Sequence, residues 1–269
     1  MDFISIYILI CFFVIGMVFG SFINVCVYRI PNHESISFPP SHCPNCDHKL
    51  GVKDLIPVLS YLFLHGKCRY CKKPISKQYP IVELLVGVIF AIIFIFFGLS
   101  EKTLLLCVIS LFLIPIAIID IKYYIIPNKI LIGLTPFAVA IACFHIFVQP
   151  VFLYRSQSVM DPIYGALVGG GTLLIFSLLG YFTHGRKEVM GMGDIKLLFV
   201  LGLLVGFSNT VLLLFLSVVS AAIGSIIMIA FFKKTAKDML AFGPYIIGSF
   251  YLTVFVGNLI INGYTNLFI

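Results

Sequence analysis

The stretch Met190-Gly191-Met192-Gly193-Asp194-Ile195-Lys196-Leu197-Leu198 sets a carboxylate after two glycines and then runs directly into an apolar helix. A charge at the centre of a bilayer costs about 3 kcal/mol even on lenient insertion scales, so an acid in this position marks a functional site and needs a partner. Asp120 is the candidate: it closes the apolar run Leu111 to Ile119 and is followed by Ile126-Pro127-Asn128. The expectation is that Asp120 and Asp194 face each other at one end of a helical bundle.

Working outward, the chain around these acids is a membrane protein. Of its 269 residues 61% are hydrophobic and 11% charged, and its mean hydropathy is +1.11. An ordinary soluble domain is far less apolar. A helix of about twenty apolar residues spans the hydrocarbon core. The sequence supplies about eight such runs, each broken by charges, Pro or Gly, which predicts an all-α polytopic protein. The first, Phe3 to Phe19, follows no basic residue and precedes no Ala-x-Ala-like site, so it is expected to be retained and not cleaved as a signal.

The net charge of +7 is distributed unevenly. Sixteen of the eighteen Lys and Arg fall at 29–77, 122–129, 186–196 and 233–237, leaving Lys102 and Arg155 for the other side. By the positive-inside rule the sixteen are cytoplasmic, which puts both termini outside and makes anionic lipid, not nucleic acid, the expected partner of the basic surface. Nothing in the sequence assigns an oligomeric state.

The expected organisation is a first membrane helix at 1–20, a cytoplasmic module at 21–79 and a seven-helix bundle at 80–269. Ser21 and Asn24 lie one helical turn apart and share a face at the membrane exit. The module is too short to bury a self-sufficient core, and Cys43-Pro44-Asn45-Cys46 and Cys68-Arg69-Tyr70-Cys71 supply the remedy. Two Cys-x-x-Cys knuckles at this separation are the pattern of a structural four-thiolate zinc site, with two disulfides or four unrelated thiols as the alternatives. Disulfides do not suit the reducing cytoplasmic side. His42, His48 and His65 lie nearby as substitute ligands or surface histidines. Glu83, just inside the next span, is either an interfacial acid pairing with Lys73 or Lys77 or part of a polar pocket. In the fifth span Gly165 and Gly169 form a small-xxx-small pair suited to close helix packing. Gly243-Pro244 opens the last span and is expected beside the aspartates.

Two adjacent carboxylates cannot both ionise readily, so they share a proton, and one serves as acid while the other serves as base. Such a pair activates water against a peptide carbonyl without a covalent intermediate. The alternatives are helix capping, which suits Asp194 at a helix start but not Asp120 at a helix end, and a proton relay in a transporter with a zinc-stabilised cap. A membrane-anchored zinc ribbon for nucleic acid is a third, and it lacks an aromatic-interleaved basic groove.

With these motifs in order, the chain closely resembles the bacterial type IV prepilin peptidases, membrane aspartyl proteases that are also N-methyltransferases. The resemblance runs through Gly20-Ser21-Phe22-Ile23-Asn24-Val25, Tyr28-Arg29, both cysteine knuckles, Tyr79-Pro80-x-x-Glu83, Asp120 with Ile126-Pro127-Asn128, Gly191-Met192-Gly193-Asp194-Ile195-Lys196 and Phe242-Gly243-Pro244. It implies that Asp120 and Asp194 are catalytic, with Gly191, Gly193, Lys196, Gly243 and Pro244 in the active-site motifs. It implies cleavage of prepilins or pseudopilins on the cytoplasmic side, after a glycine, between a basic leader and a hydrophobic helix. It also implies that 21–79 is the methyltransferase module, using S-adenosylmethionine, with Asn24, Arg29 and Glu83 as candidate residues. Asn128 stands where many relatives carry an aspartate, and no chemical role is assigned to it.

Overall fold

The computed structural model describes residues 2–148, 150–184, 191–232 and 240–268. Arg186, Lys187, Lys233, Lys234 and Lys237, which enter the orientation argument, lie outside these. The elements are α1 (Phe3–Arg29), α2 (Leu59–Phe63), α3 (Gln78–Phe97), α4 (Glu101–Tyr123), α5 (Asn128–Phe147), α6 (Asp161–His184), α7 (Met192–Phe232) and α8 (Gly243–Phe268), with no strand among the described residues. Seven helices are long and apolar enough to cross a membrane, so the protein is a multi-pass membrane protein. The chain divides within α4 into two compact units, Met1–Pro115 and Ile116–Ile269.

In the first unit α1 packs along α3. The helix expected over 1–20 continues to Arg29. The apolar signal fades at Gly20, but no helix breaker appears before Pro31, and the polar residues in the extension are satisfied where they sit. Asn24, 2% exposed, donates to the carbonyls of Gly20 at 3.3 Å and Tyr79 at 3.1 Å and accepts from Gln78 at 3.4 Å. The two backbones approach closely through small residues. A Cβ on Gly16 would lie 2.8 Å from the Gly87 Cα, and one on Gly20 would lie 2.6 Å from the Glu83 Cα. Lipid is as apolar as leucine, so helices associate by such close packing and not by hydrophobic exclusion.

The second unit is built on α7, which packs against α5, α6 and α8. At 41 residues α7 is about 62 Å long if straight, twice the hydrocarbon thickness. It is not straight: Gly206 has φ 77° and ψ 179°, a conformation open to glycine. Gly169 of α6 faces both Leu198 and Thr210, which lie on opposite sides of Gly206, so the two legs of α7 fold back on one another. The described residues thus hold seven long apolar helices, and α7 contributes two legs to the bundle.

A broken helix frees backbone groups that lipid cannot satisfy. Here the segment between α5 and α6, with the first residue of α6, meets two of them: the Tyr154 hydroxyl donates to the Leu203 carbonyl at 2.8 Å, and the Phe207 N–H donates to Asp161 Oδ1 at 3.3 Å. Asn209 of the second leg donates to the Leu153 carbonyl at 2.9 Å, and buried His145 takes the Val151 N–H at 3.1 Å. Hydroxyls within the helices bond back one turn, as in Ser110 to Leu106 and Ser217 to Leu213.

The Gly165/Gly169 pair forms the closest seam, as its spacing predicts. A Cβ on Gly165 would overlap the Gly202 carbonyl, whereas one on Gly171 would meet nothing within 4 Å. Gly165→Val should lower the thermal unfolding temperature in detergent, at a cost of about 1–3 kcal/mol or more. Gly171→Ala should leave it unchanged or slightly raised. Equal melting of the two variants would contradict the seam.

Candidate active site

Asp120 sits one turn before the end of α4, where Tyr124 at φ 56° turns the chain away from the helix. An anion at a helix C-terminus opposes the dipole, and the remedy is a second helix. The first N–H of α8, from Gly243, donates to Asp120 Oδ2 at 2.8 Å, and the carboxylate is 5% exposed. Asp120 thus rests on the positive end of α8. Glycine is required there, because a Cβ on residue 243 would stand 2.8 Å from the same oxygen. Pro244 follows within the first turn of α8, where a missing N–H costs nothing; the next amides, of Tyr245 and Ile246, turn back to the Phe242 carbonyl.

Asp194 is the third residue of α7, its N–H bonded to the Gly191 carbonyl at 3.1 Å. It is half-buried at the positive end of its own helix. Asp120 is close enough for its charge to act directly on Asp194. Gly193 lets α7 approach the turn after α4, since a Cβ there would lie 2.8 Å from the Ile126 Cβ. Two residues on from Ile126, Asn128 accepts a hydrogen bond from Lys196 Nζ at 3.1 Å. This contact ties the first turn of α7 to the start of α5, and it is a partner for Asn128 that its sequence context does not disclose.

The cysteine module of the first unit is a second centre. Both knuckles are built alike: the Asp47 N–H returns to the Cys43 carbonyl at 2.9 Å, and the Lys72 N–H to that of Cys68 at 3.1 Å. Asp47 and Lys72 both take positive φ, at 54° and 61°. Isolated bridges His42 to Lys49 and Lys67 to Pro74 close the two loops. The sulfurs of Cys43, Cys46, Cys68 and Cys71 all lie within 4.8 Å of one another, and Cys43 and Cys71 are 3.9 Å apart. Four sulfurs at about 2.3 Å from a tetrahedral ion stand about 3.8 Å apart, so this set fits a metal. The N–H groups of Cys71 and Tyr70 bring the Cys68 thiol down to about 7, within reach of the thiolate a metal needs. Cys46 is pushed the other way, to about 11: the His48 N–H favours its thiolate, but desolvation and the neighbouring Cys43 and Cys71 outweigh it. The nearby histidines stand outside the cluster. His42 contacts the Pro40 carbonyl at 3.1 Å, and His48 stacks on Tyr70 at 3.5 Å between centroids. Beside the cluster, Arg69 donates to Asp54 at 2.6 Å and holds its carboxyl below the usual range.

The remaining sequence candidates divide. Asn24 and Glu83 both lie on the α1–α3 seam, and both are buried. Glu83 Oε2 accepts the Val58 N–H at 2.7 Å, and the Ser21 hydroxyl also reaches it, so Glu83 lines a polar pocket and does not pair with Lys73 or Lys77. Buried Arg29 stands apart from them and closes the following loop, donating to the carbonyls of Ser35 at 3.0 Å and Ile36 at 3.3 Å. Sequence reasoning left out the Gly16, Gly20 and Gly87 seam, although Gly16-x-x-x-Gly20 is its own signal.

Residues 14–97 match the bacterial peptidase A24 N-terminal domain, and residues 107–226 match the type IV leader peptidase family. A prepilin leader peptidase/N-methyltransferase of Bacillus subtilis (strain 168) is 34% identical over 253 residues, 94% of this chain and 96% of that protein. One of Vibrio cholerae is 33% identical over 92% of this chain and 96% of its own. One of Stutzerimonas stutzeri is 31% identical over 88% and 86%. No solved structure matches the chain. The four cysteines fall within the first matched segment and Asp120 and Asp194 within the second, and the chain belongs to the type IV leader peptidase family.

Proposed function

We propose that this protein cleaves the basic leader of type IV prepilins or pseudopilins with Asp120 and Asp194, and then methylates the new N-terminus with S-adenosylmethionine. The observation that carries the first half is the pair itself: two acids on different helices, one buried on the α8 N-terminus and one at the α7 N-terminus, close enough to interact. One carboxylate, ionised, takes a proton from water as the oxygen attacks the scissile carbonyl. The other, protonated, donates to the departing amine as the C–N bond breaks, so the proton is passed on and the pair is reset. The excess of Lys and Arg in the segments at 29–77, 122–129, 186–196 and 233–237 supports a cytoplasmic site for both activities, with both termini outside.

The names of the relatives support the second half. S-adenosylmethionine supplies an electrophilic methyl group, and the chain must present it with a neutral amine. The module of residues 21–79 carries this step, tied to α3 through Asn24, which bonds Gln78 and Tyr79, and through Glu83, which holds Val58. The metal is zinc: four thiolates fill a tetrahedral shell and leave no open position, so its role is to fold a module with little core of its own.

Asp120→Asn and Asp194→Asn should each slow cleavage of a membrane-embedded prepilin by at least about 100-fold while remaining inserted and folded; a variant that cuts at the normal rate removes its acid from the mechanism. Alanine at Asn24, Arg29 or Glu83 should reduce methylation of the new N-terminus, read by mass spectrometry, more than cleavage. Glu83→Gln, which still accepts the Val58 N–H, separates the charge from the fold, and untouched methylation in all four variants would remove these residues from the step. Elemental analysis should find one zinc per chain, lost in Cys43→Ser and Cys71→Ser.

A further inference from the structure

The stretch Leu55-Ile56-Pro57-Val58-Leu59-Ser60-Tyr61-Leu62-Phe63-Leu64 carries no charge, although it lies within the basic module. It is not a core. Leu59 is 50%, Leu62 60% and Phe63 78% exposed, and Leu55 and Ile56 are exposed as well. Positions 59, 62 and 63 have the spacing of a single helix face, so α2 presents an apolar stripe that no described residue covers. Exposed apolar patches of this kind mark contact surfaces.

What covers the stripe follows from how the segment is held. Val58 has φ 60° and ψ −49°, a rare backbone state for a β-branched residue, in a tight turn closed by the Leu59 N–H on the Pro57 carbonyl at 2.5 Å. Its own N–H is fixed to Glu83 Oε2 at 2.7 Å. Glu83 is the sixth residue of the membrane-spanning helix α3, about 8 Å along it. Glu83 is also level with Gly20 of α1, where the apolar run gives way to the polar Ser21 and Asn24. The turn is therefore anchored at the edge of the hydrocarbon layer. Lys53 and Lys67 flank the stretch, and Asp54, the one acid beside it, is already paired with Arg69.

We propose that Leu55 to Phe63 is an interfacial membrane anchor. The stripe of α2 lies in the headgroup and acyl boundary of the bilayer that α1 and α3 cross, with the flanking lysines at anionic headgroups. A shallow apolar insertion bordered by lysines is the pattern of helices that lie on a membrane and do not span it. Glu83 and the Val58 turn set its depth, which orients the cysteine module against the bilayer.

The chain contains no tryptophan, so a single introduced indole reports alone. Full-length Phe63→Trp and, as a second reporter on the same face, Leu62→Trp would be reconstituted in vesicles of phosphatidylcholine and phosphatidylglycerol with brominated acyl chains. Both emissions should shift to the blue, lose most of their intensity to the brominated lipid and resist iodide in the aqueous phase. Quenching by iodide without quenching by lipid would overturn the anchor, because the stripe would face water. Protection from both quenchers would also overturn it, because the stripe would be covered by protein or a second copy.

Discussion

The second unit depends on how one buried carboxylate is tolerated. Asp120 lies at the negative end of α4, inside an apolar bundle, where an acid is costly on both counts. The Gly243 N–H at 2.8 Å offsets this by placing it on the positive end of α8. That contact fixes where α8 begins, demands a residue without a side chain at 243, and holds the carboxylate where its charge acts on Asp194. One interaction therefore serves packing and chemistry together.

The cost of unpaired backbone groups in lipid bears on the opposite end of the unit as well. Folding α7 at Gly206 breaks the helix ladder, and the Leu203 carbonyl and the Phe207 N–H at the break are met by Tyr154 and Asp161. The segment before α6 and its first residue are thus part of the fold of α7. Asp161 meets a backbone N–H at the break, whereas Asp120 and Asp194 at the other end act on one another through their charge. Two kinds of intramembrane carboxylate coexist here, and what separates them is the partner.

Much of this was legible in the sequence. The apolar runs, the Gly206 interruption, the Gly165/Gly169 packing pair and the two cysteine knuckles are local patterns, and local patterns are what periodicity and spacing report. What could not be read were tertiary pairings. Capping was set aside for Asp120 because it ends its own helix, yet it caps another one 123 residues away in the chain. Asn128 looked silent until Lys196 was placed beside it, and Glu83 hung between surface and pocket until the Val58 N–H decided it. The end expected for α1 at Gly20 was late in coming because Asn24 finds its partners across the seam. In each case the deciding atom belongs to a distant segment.

The central claim is that Asp120 and Asp194 act as one unit. Groups that act as a unit are strongly non-additive when removed. The direct test is to measure prepilin cleavage in membranes by Asp120→Asn, Asp194→Asn and the double variant under identical conditions. The account predicts that the double variant retains the residual rate of the slower single variant. If the two losses multiply, the aspartates work independently, and a shared proton between them is not the mechanism.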